Sequence, residues 1–131
     1  MRERQLFCKC PHCGNIVGVI SGKAAPLVCC GEKMAVLAPN TADAALEKHV
    51  PSVSMSGGKV TVKVGSAAHP MEEPHHISFV YLETERGGQR KCLGIGSAPE
   101  TEFCVAGDDK PLAVFAYCNL HGLWMTETFG E

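Results

Sequence analysis

The sequence predicts an all-β protein in two parts: a small cysteine-rich module over residues 1–37 and an antiparallel β-sandwich over residues 38–131. Three observations carry this reading. Five of the eight cysteines fall in the first part. In the second, apolar residues recur with period two in short runs, as in Val60, Val62 and Val64. Those runs are separated by turn residues at the spacing of an antiparallel sandwich.

The chain has 131 residues and a formal net charge of −2, with charged residues at 20%. That length holds one modest domain with a miniature one beside it, and excludes a large multidomain enzyme. No basic field exists to hold nucleic acid or an anionic membrane, so any electrostatic attraction has to be local. The opening MRERQLF lacks the apolar stretch of a signal peptide, and no apolar run approaches the roughly 18 residues of a spanning helix. A cytoplasmic protein with no nucleic-acid or membrane partner is the expectation. Reducing conditions there disfavour disulfides and make metal ligation the leading use of clustered cysteines.

Residues 1–37 are too few to fold by burial alone, and a metal would supply the missing stability. Cys10-Pro11-His12-Cys13-Gly14 places two thiols on a tight turn whose Gly can take positive φ, so that backbone N–H groups can face the sulfurs. Cys29 and Cys30 are adjacent and followed by Gly31. Neighbouring cysteines must splay to reach one ion and should distort a tetrahedron, which a redox iron tolerates; a structural zinc is the alternative. Cys8 is expected to stand aside from the cluster and His12 to be a solvated turn residue.

In the linker APNTADAALEKHVP, Asn40 or Thr41 is placed to cap a brief helical turn before Pro51 forces extended backbone. Strands are then expected over Val60–Val64 and over Ile77–Tyr81, where Ile77, Phe79 and Tyr81 alternate with period two, with further runs around 91–95, 102–105 and 112–117. Gly57, Gly58, Gly87, Gly88, SAPE and AGDDKP serve as turns. Cys92 and Cys104 match no ligand motif and are expected to be buried as small apolar side chains.

Five of the six histidines lie beyond the cysteine-rich module in three clusters, EKHVP, HPMEEPHH and CNLHGLW. Each cluster adjoins a Pro or Gly turn at a strand end, where loops from one end of a sandwich can converge. Several imidazoles with one thiolate, Cys118, suit iron, copper or zinc rather than magnesium or calcium. Met125 keeps copper as a minor option. Trp124 is expected to pack near the site, and Met71, Glu72 and Glu73 to form a solvated loop whose carbonyls or carboxylates could hold calcium.

Taken together, CPHCG with VCCGEKM, NTADAALEKHVP, KVGSAAHPMEEPHHI and CNLHGLW resemble the desulfoferrodoxin family of two-iron superoxide reductases, nearly end to end. The resemblance implies a desulforedoxin-like N-terminal domain and an immunoglobulin-like sandwich. Cys10, Cys13, Cys29 and Cys30 would hold one iron in an FeS4 centre. His49, His69, His75 and His121 would hold a second iron equatorially, with Cys118 as axial thiolate; His76 is left as a nearby or surface residue. It further implies superoxide as substrate, a rubredoxin-like electron donor and a homodimer.

Five protein ligands leave one position open for a small oxyanion. Lys48, between Glu47 and His49, is placed to attract superoxide and to order water for protonation. The resemblance makes Glu47 a sixth ligand of the oxidised resting state. The expected reaction is superoxide plus one electron and two protons giving hydrogen peroxide. A non-catalytic iron electron carrier and a zinc-stabilised binding module are the competing readings.

Overall fold

The computed structural model describes residues 4–23 and 26–127. The chain divides into two compact units, Met1–Ala38 and Pro39–Glu131.

In the first unit, β1 (Leu6–Lys9) lies between β2 (Ile16–Val19) and β5 (Ala35–Val36) in an antiparallel sheet. The strands β3 (Val28–Cys29) and β4 (Glu32–Lys33) form a separate hairpin. Buried apolar side chains among the described residues of this unit are Phe7, Cys8 and Cys10, whereas Ile20, Val28 and Val36 are exposed. So small a core cannot offset the chain entropy of some three dozen residues, which leaves stability to another source.

The second unit is a sandwich. One sheet has the order β10-β7-β6, built from β6 (Pro51–Ser56), β7 (Lys59–Val64) and β10 (Glu100–Cys104). The other has the order β12-β11-β8-β9, built from β8 (Ile77–Thr84), β9 (Gly87–Cys92), β11 (Pro111–Cys118) and β12 (Gly122–Thr126). Sheets of three and four antiparallel strands match the smaller immunoglobulin-like sandwich. Val60, Val62 and Val64 of β7 pack between the sheets with Val80, Leu82, Phe103, Val114 and Ala116. The alternation of β7 thus lands on the core as the period-two pattern requires.

Elsewhere the structure departs from the expectations. Phe79 and Tyr81 do not join Ile77 in the sandwich core, because Tyr117 pairs with Phe79 while Cys118 pairs with Ile77. The extra residue, Ser78, forms a bulge that turns Val80 and Leu82 inward. Phe79 stacks instead on Tyr117, with centroids 5.7 Å apart. The β8–β9 turn falls at Glu85-Arg86, so Gly87 and Gly88 belong to β9. Gly88 is needed there, since a Cβ would lie 1.9 Å from the Tyr81 hydroxyl.

Neither Asn40 nor Thr41 caps a helix. The single turn α1 (Leu46–His49) starts at Ala45 without a side-chain cap. Asn40, at φ 62°, bonds instead with the Met125 backbone, its Nδ2 donating at 3.0 Å and its Oδ1 accepting at 2.9 Å. Cys92 and Cys104 are exposed, not buried. Each ends a sheet-edge strand. Phe103 points into the core, so the alternation turns Cys104 out. Met71 is buried in the core, its sulfur accepting the Ile77 N–H at 3.4 Å, so the MEE loop is not wholly solvated.

Candidate metal centres

The first centre is made by two tight turns. In the Cys10–Gly14 turn, Gly14 takes φ 80° and its N–H returns to the Cys10 carbonyl at 3.2 Å. The N–H groups of His12 and Cys13 both face Cys10 Sγ at 3.4 Å. With the Cys13 N–H as the main cause, the Cys10 thiol is held down at about 6. The second turn explains how adjacent cysteines splay. Cys29 is the last residue of β3, while Cys30 and Gly31, at φ 54° and 76°, form a two-residue hairpin turn of the kind that needs positive φ twice. Strand and turn therefore send the two thiols in different directions.

Ligand atoms of Cys10, Cys13, Cys29 and Cys30 all lie within 4.8 Å of one another. Cys13 Sγ is 3.6 Å from Cys29 Sγ, and Cys29 Sγ is 4.0 Å from Cys30 Sγ. A tetrahedron with metal–sulfur bonds of roughly 2.3 Å has edges of about 3.8 Å, so the spacing fits one ion. The thiols cannot all ionise without a cation: Cys29 is pushed up to about 12, chiefly by its hydrogen bond to Cys13 and then to Cys10. An ion removes that conflict by taking the proton's place. Cys8 is buried in β1, opposite Val17, and is not one of the four. His12 is exposed as expected but is not alone, its Nε2 lying 2.6 Å from Glu32 Oε1.

The second centre sits at one end of the sandwich. Its residues come from α1 (His49), the loop after β7 (His69), the loop before β8 (His75), the end of β11 (Cys118) and the turn into β12 (His121). The four imidazoles form a closed ring in the order 49, 69, 75, 121, with neighbouring centroids 4.7, 4.6, 5.1 and 4.9 Å apart. Each neighbouring pair is near perpendicular, at 73° to 88°. Across the ring His49 and His75 are 6.3 Å apart.

His49, His75, Cys118 and His121 offer ligand atoms all within 4.8 Å of one another. His69 is not in that set but packs against two of its members. His49 Nε2 is 3.1 Å from His121 Nδ1, which is 3.8 Å from Cys118 Sγ.

Backbone carbonyls fix which nitrogens face inward. His49 Nδ1 donates to Ala45 O and His69 Nδ1 to Pro70 O, each at 2.7 Å, leaving both Nε2 atoms as lone-pair donors. His69 Nε2 and His75 Nε2 are buried with no hydrogen-bond partner, a cost that a bound cation removes. Burial pulls the His69 pKa down to about 4 and lowers that of His75, so both rings stay neutral and able to ligate near pH 7. Neutral imidazoles with a thiol form a donor set for a transition metal, and the residues fit iron.

His76 stands aside from the ligand set, its Nδ1 donating to the Glu72 and Glu73 carbonyls at 3.1 and 3.0 Å. Trp124 does more than pack nearby, since its buried indole stacks on His49 at 4.8 Å and 29°. Glu47 and Lys48 are exposed on the segment leading to His49. The Glu47 carbonyl accepts from Ala67 N–H at 2.8 Å and Ser66 Oγ at 3.3 Å. Sequence reasoning missed Gly65, where a Cβ would lie 2.6 Å from the Glu47 oxygen. No motif marks it, because the close approach is made by residues 18 positions away.

The family model described as "Desulfoferrodoxin, N-terminal domain" matches residues 2–37, and the "Desulfoferrodoxin" model matches residues 41–127. The chain belongs to the desulfoferrodoxin family. A desulfoferrodoxin from Syntrophotalea carbinolica is 48% identical over 97% of this chain and 99% of its own length. One from Nitratidesulfovibrio vulgaris is 46% identical over 91% and 93% respectively. The solved superoxide reductase from Treponema pallidum is 38% identical, with a TM-score of 0.81 over 95% of this chain and all of that one. This member of the desulfoferrodoxin family therefore has a four-cysteine group and a second group of histidines and a cysteine that could hold two iron ions.

Proposed function

We propose that the protein is a superoxide reductase that converts superoxide to hydrogen peroxide, consuming one electron from an external donor and two protons. The observation that carries this reading is the closed ring of four imidazoles with the Cys118 thiol beside His121. Iron held there by His49, His69, His75, His121 and Cys118 would supply a one-electron couple and a Lewis-acidic place for a small oxyanion. The name of the Treponema pallidum structure supports the same reading.

The chain's own residues set the conditions. Carbonyls of Ala45 and Pro70 hold two imidazoles in the ligating tautomer, and the Trp124 indole fixes the plane of His49. Lys48 carries a cation on exposed backbone next to His49, where it draws superoxide in and orders water for proton delivery, a role the net charge of −2 cannot fill. Glu47, its main chain pinned by Ser66 and Ala67, is the carboxylate that would be available to the iron when no substrate is bound.

The N-terminal part, residues 1–37, is read as the FeS4 domain and residues 38–131 as the reductase domain. Exposure of Cys13 and Cys30 leaves the four-cysteine group accessible to a rubredoxin-like donor. The exposed Ile20, Val28 and Val36 suit burial in a homodimer. No helix among the described residues is long and apolar enough to cross a membrane.

The test is single-turnover mixing of ferrous protein with superoxide without a donor. The reductase reading expects one peroxide per oxidised second-centre iron, and a slower encounter in Lys48→Ala at unchanged iron content. Peroxide formation at the uncatalysed dismutation rate, with the iron still ferrous, would reject it.

A further inference from the structure

His75 differs from the carbonyl-tied imidazoles of the ring. The rings of His49 and His69 are each tied by Nδ1 to a backbone carbonyl. The His75 ring makes no hydrogen bond to the described residues, and its Nε2 is buried and bare. Beyond its edge-on packing against His69 and His121, its place is therefore set by the main chain that carries it. That main chain is held on both sides by one residue, Asn119.

Asn119 Nδ2 donates to Pro74 O at 3.0 Å, immediately before His75. Asn119 Oδ1 accepts the His76 N–H at 2.8 Å, immediately after it. The Asn119 N–H also donates to His76 O at 3.1 Å. Asn119 itself directly follows Cys118 in the turn that leads to His121. A further pair of bonds, Glu72 N–H to His75 O and His75 N–H to Glu72 O at 3.0 Å each, closes the same loop on itself.

We propose that Asn119 is a positioning residue for the second centre, clamping the His75 loop to the Cys118–His121 turn so that His75 Nε2 stays in register with the thiol. The amide suits this task because it offers a donor and an acceptor on one short, branched end. Aspartate keeps the shape and the acceptor but loses the donor to Pro74 O. Alanine loses both side-chain bonds and keeps the main-chain one. Partners of this kind behind a ligand typically contribute roughly 10–100-fold in metal affinity.

This inference rests on the reading of the His and Cys ring as a metal centre. The experiment measures release of iron from the second centre of the full-length ferrous protein to a chelator, together with the thiolate-to-iron visible band after oxidation. Asn119→Ala is expected to release iron about 10–100-fold faster and to shift the band, and Asn119→Asp to do so by a smaller factor. The control is Asn40→Ala, which removes two comparable side-chain bonds to the Met125 backbone. That variant should lose stability yet keep the wild-type release rate and band.

Wild-type release and spectrum in Asn119→Asp and Asn119→Ala would overturn the clamp while leaving the centre intact. Equal acceleration in Asn40→Ala would overturn it as a mere effect of stability. Absence of the band in the unsubstituted protein would overturn the centre and the clamp together.

Discussion

At the scale of single residues, protonation and close approach govern the second centre. Burial lowers the His69 pKa from 6.5 to about 4, so in the metal-free protein the unfolded chain binds this proton more readily between those values. The contribution of neutral His69 is fully present above pH 6.5 and is lost as pH falls toward 4. Urea unfolding of metal-free protein should therefore show stability falling across that window, and His69→Asn should flatten the slope; an unchanged slope would place the titration elsewhere. Gly65→Ala tests the approach of the two loops. Its Cβ would meet the Glu47 oxygen at 2.6 Å and the Lys48 carbonyl carbon at 3.0 Å, all backbone. The segment carrying His49 must shift, at a cost of about 1–3 kcal/mol. Denaturant unfolding reads that loss, and a stability equal to wild type would show that the loop yields freely.

Among the elements, the β3–β4 hairpin and the β8 bulge each bear on one of the two candidate centres. The hairpin turn puts Cys30 and Gly31 at positive φ, which costs a non-glycine residue roughly 1–2 kcal/mol. Gly31→Val adds a second such penalty at φ 76° and should loosen metal in the four-cysteine group, read as faster loss to a chelator, with the second centre unaffected. Retention at the wild-type rate would mean that the turn does not hold Cys29 and Cys30 apart. In the sandwich, the bulge at Ser78 lets β8 present Val80 and Leu82 to the core while Cys118, opposite Ile77, ends β11 at the ligand ring. Core packing and ligand placement thus meet at one register shift.

For the whole molecule, the two units differ in what holds them together. The first buries three described apolar side chains, whereas the second packs a continuous cluster between two sheets. Removal of metal should accordingly melt β1 to β5 while the amides of β8 and β11 stay protected, as followed by hydrogen exchange. Equal protection in both units after metal removal would contradict this.

The same difference explains how much could be read from the sequence. Ligand turns such as CPHCG and CNLHGLW are local chemistry and show in the chain, as does the period of β7. The Asn40 bonds to Met125, the Gly65 approach to Glu47 and the exposure of Cys92 and Cys104 depend on contacts between distant parts of the chain or on which strand ends at an edge. Period two also assumes an unbroken strand, and Ser78 breaks β8.

Reduction without dismutation is distinguished by the yield of peroxide under turnover. With an excess of electron donor and a measured flux of superoxide, the protein should yield one hydrogen peroxide per superoxide and evolve no oxygen. Half a peroxide per superoxide, with oxygen making up the balance and no donor consumed, would contradict the reductase reading.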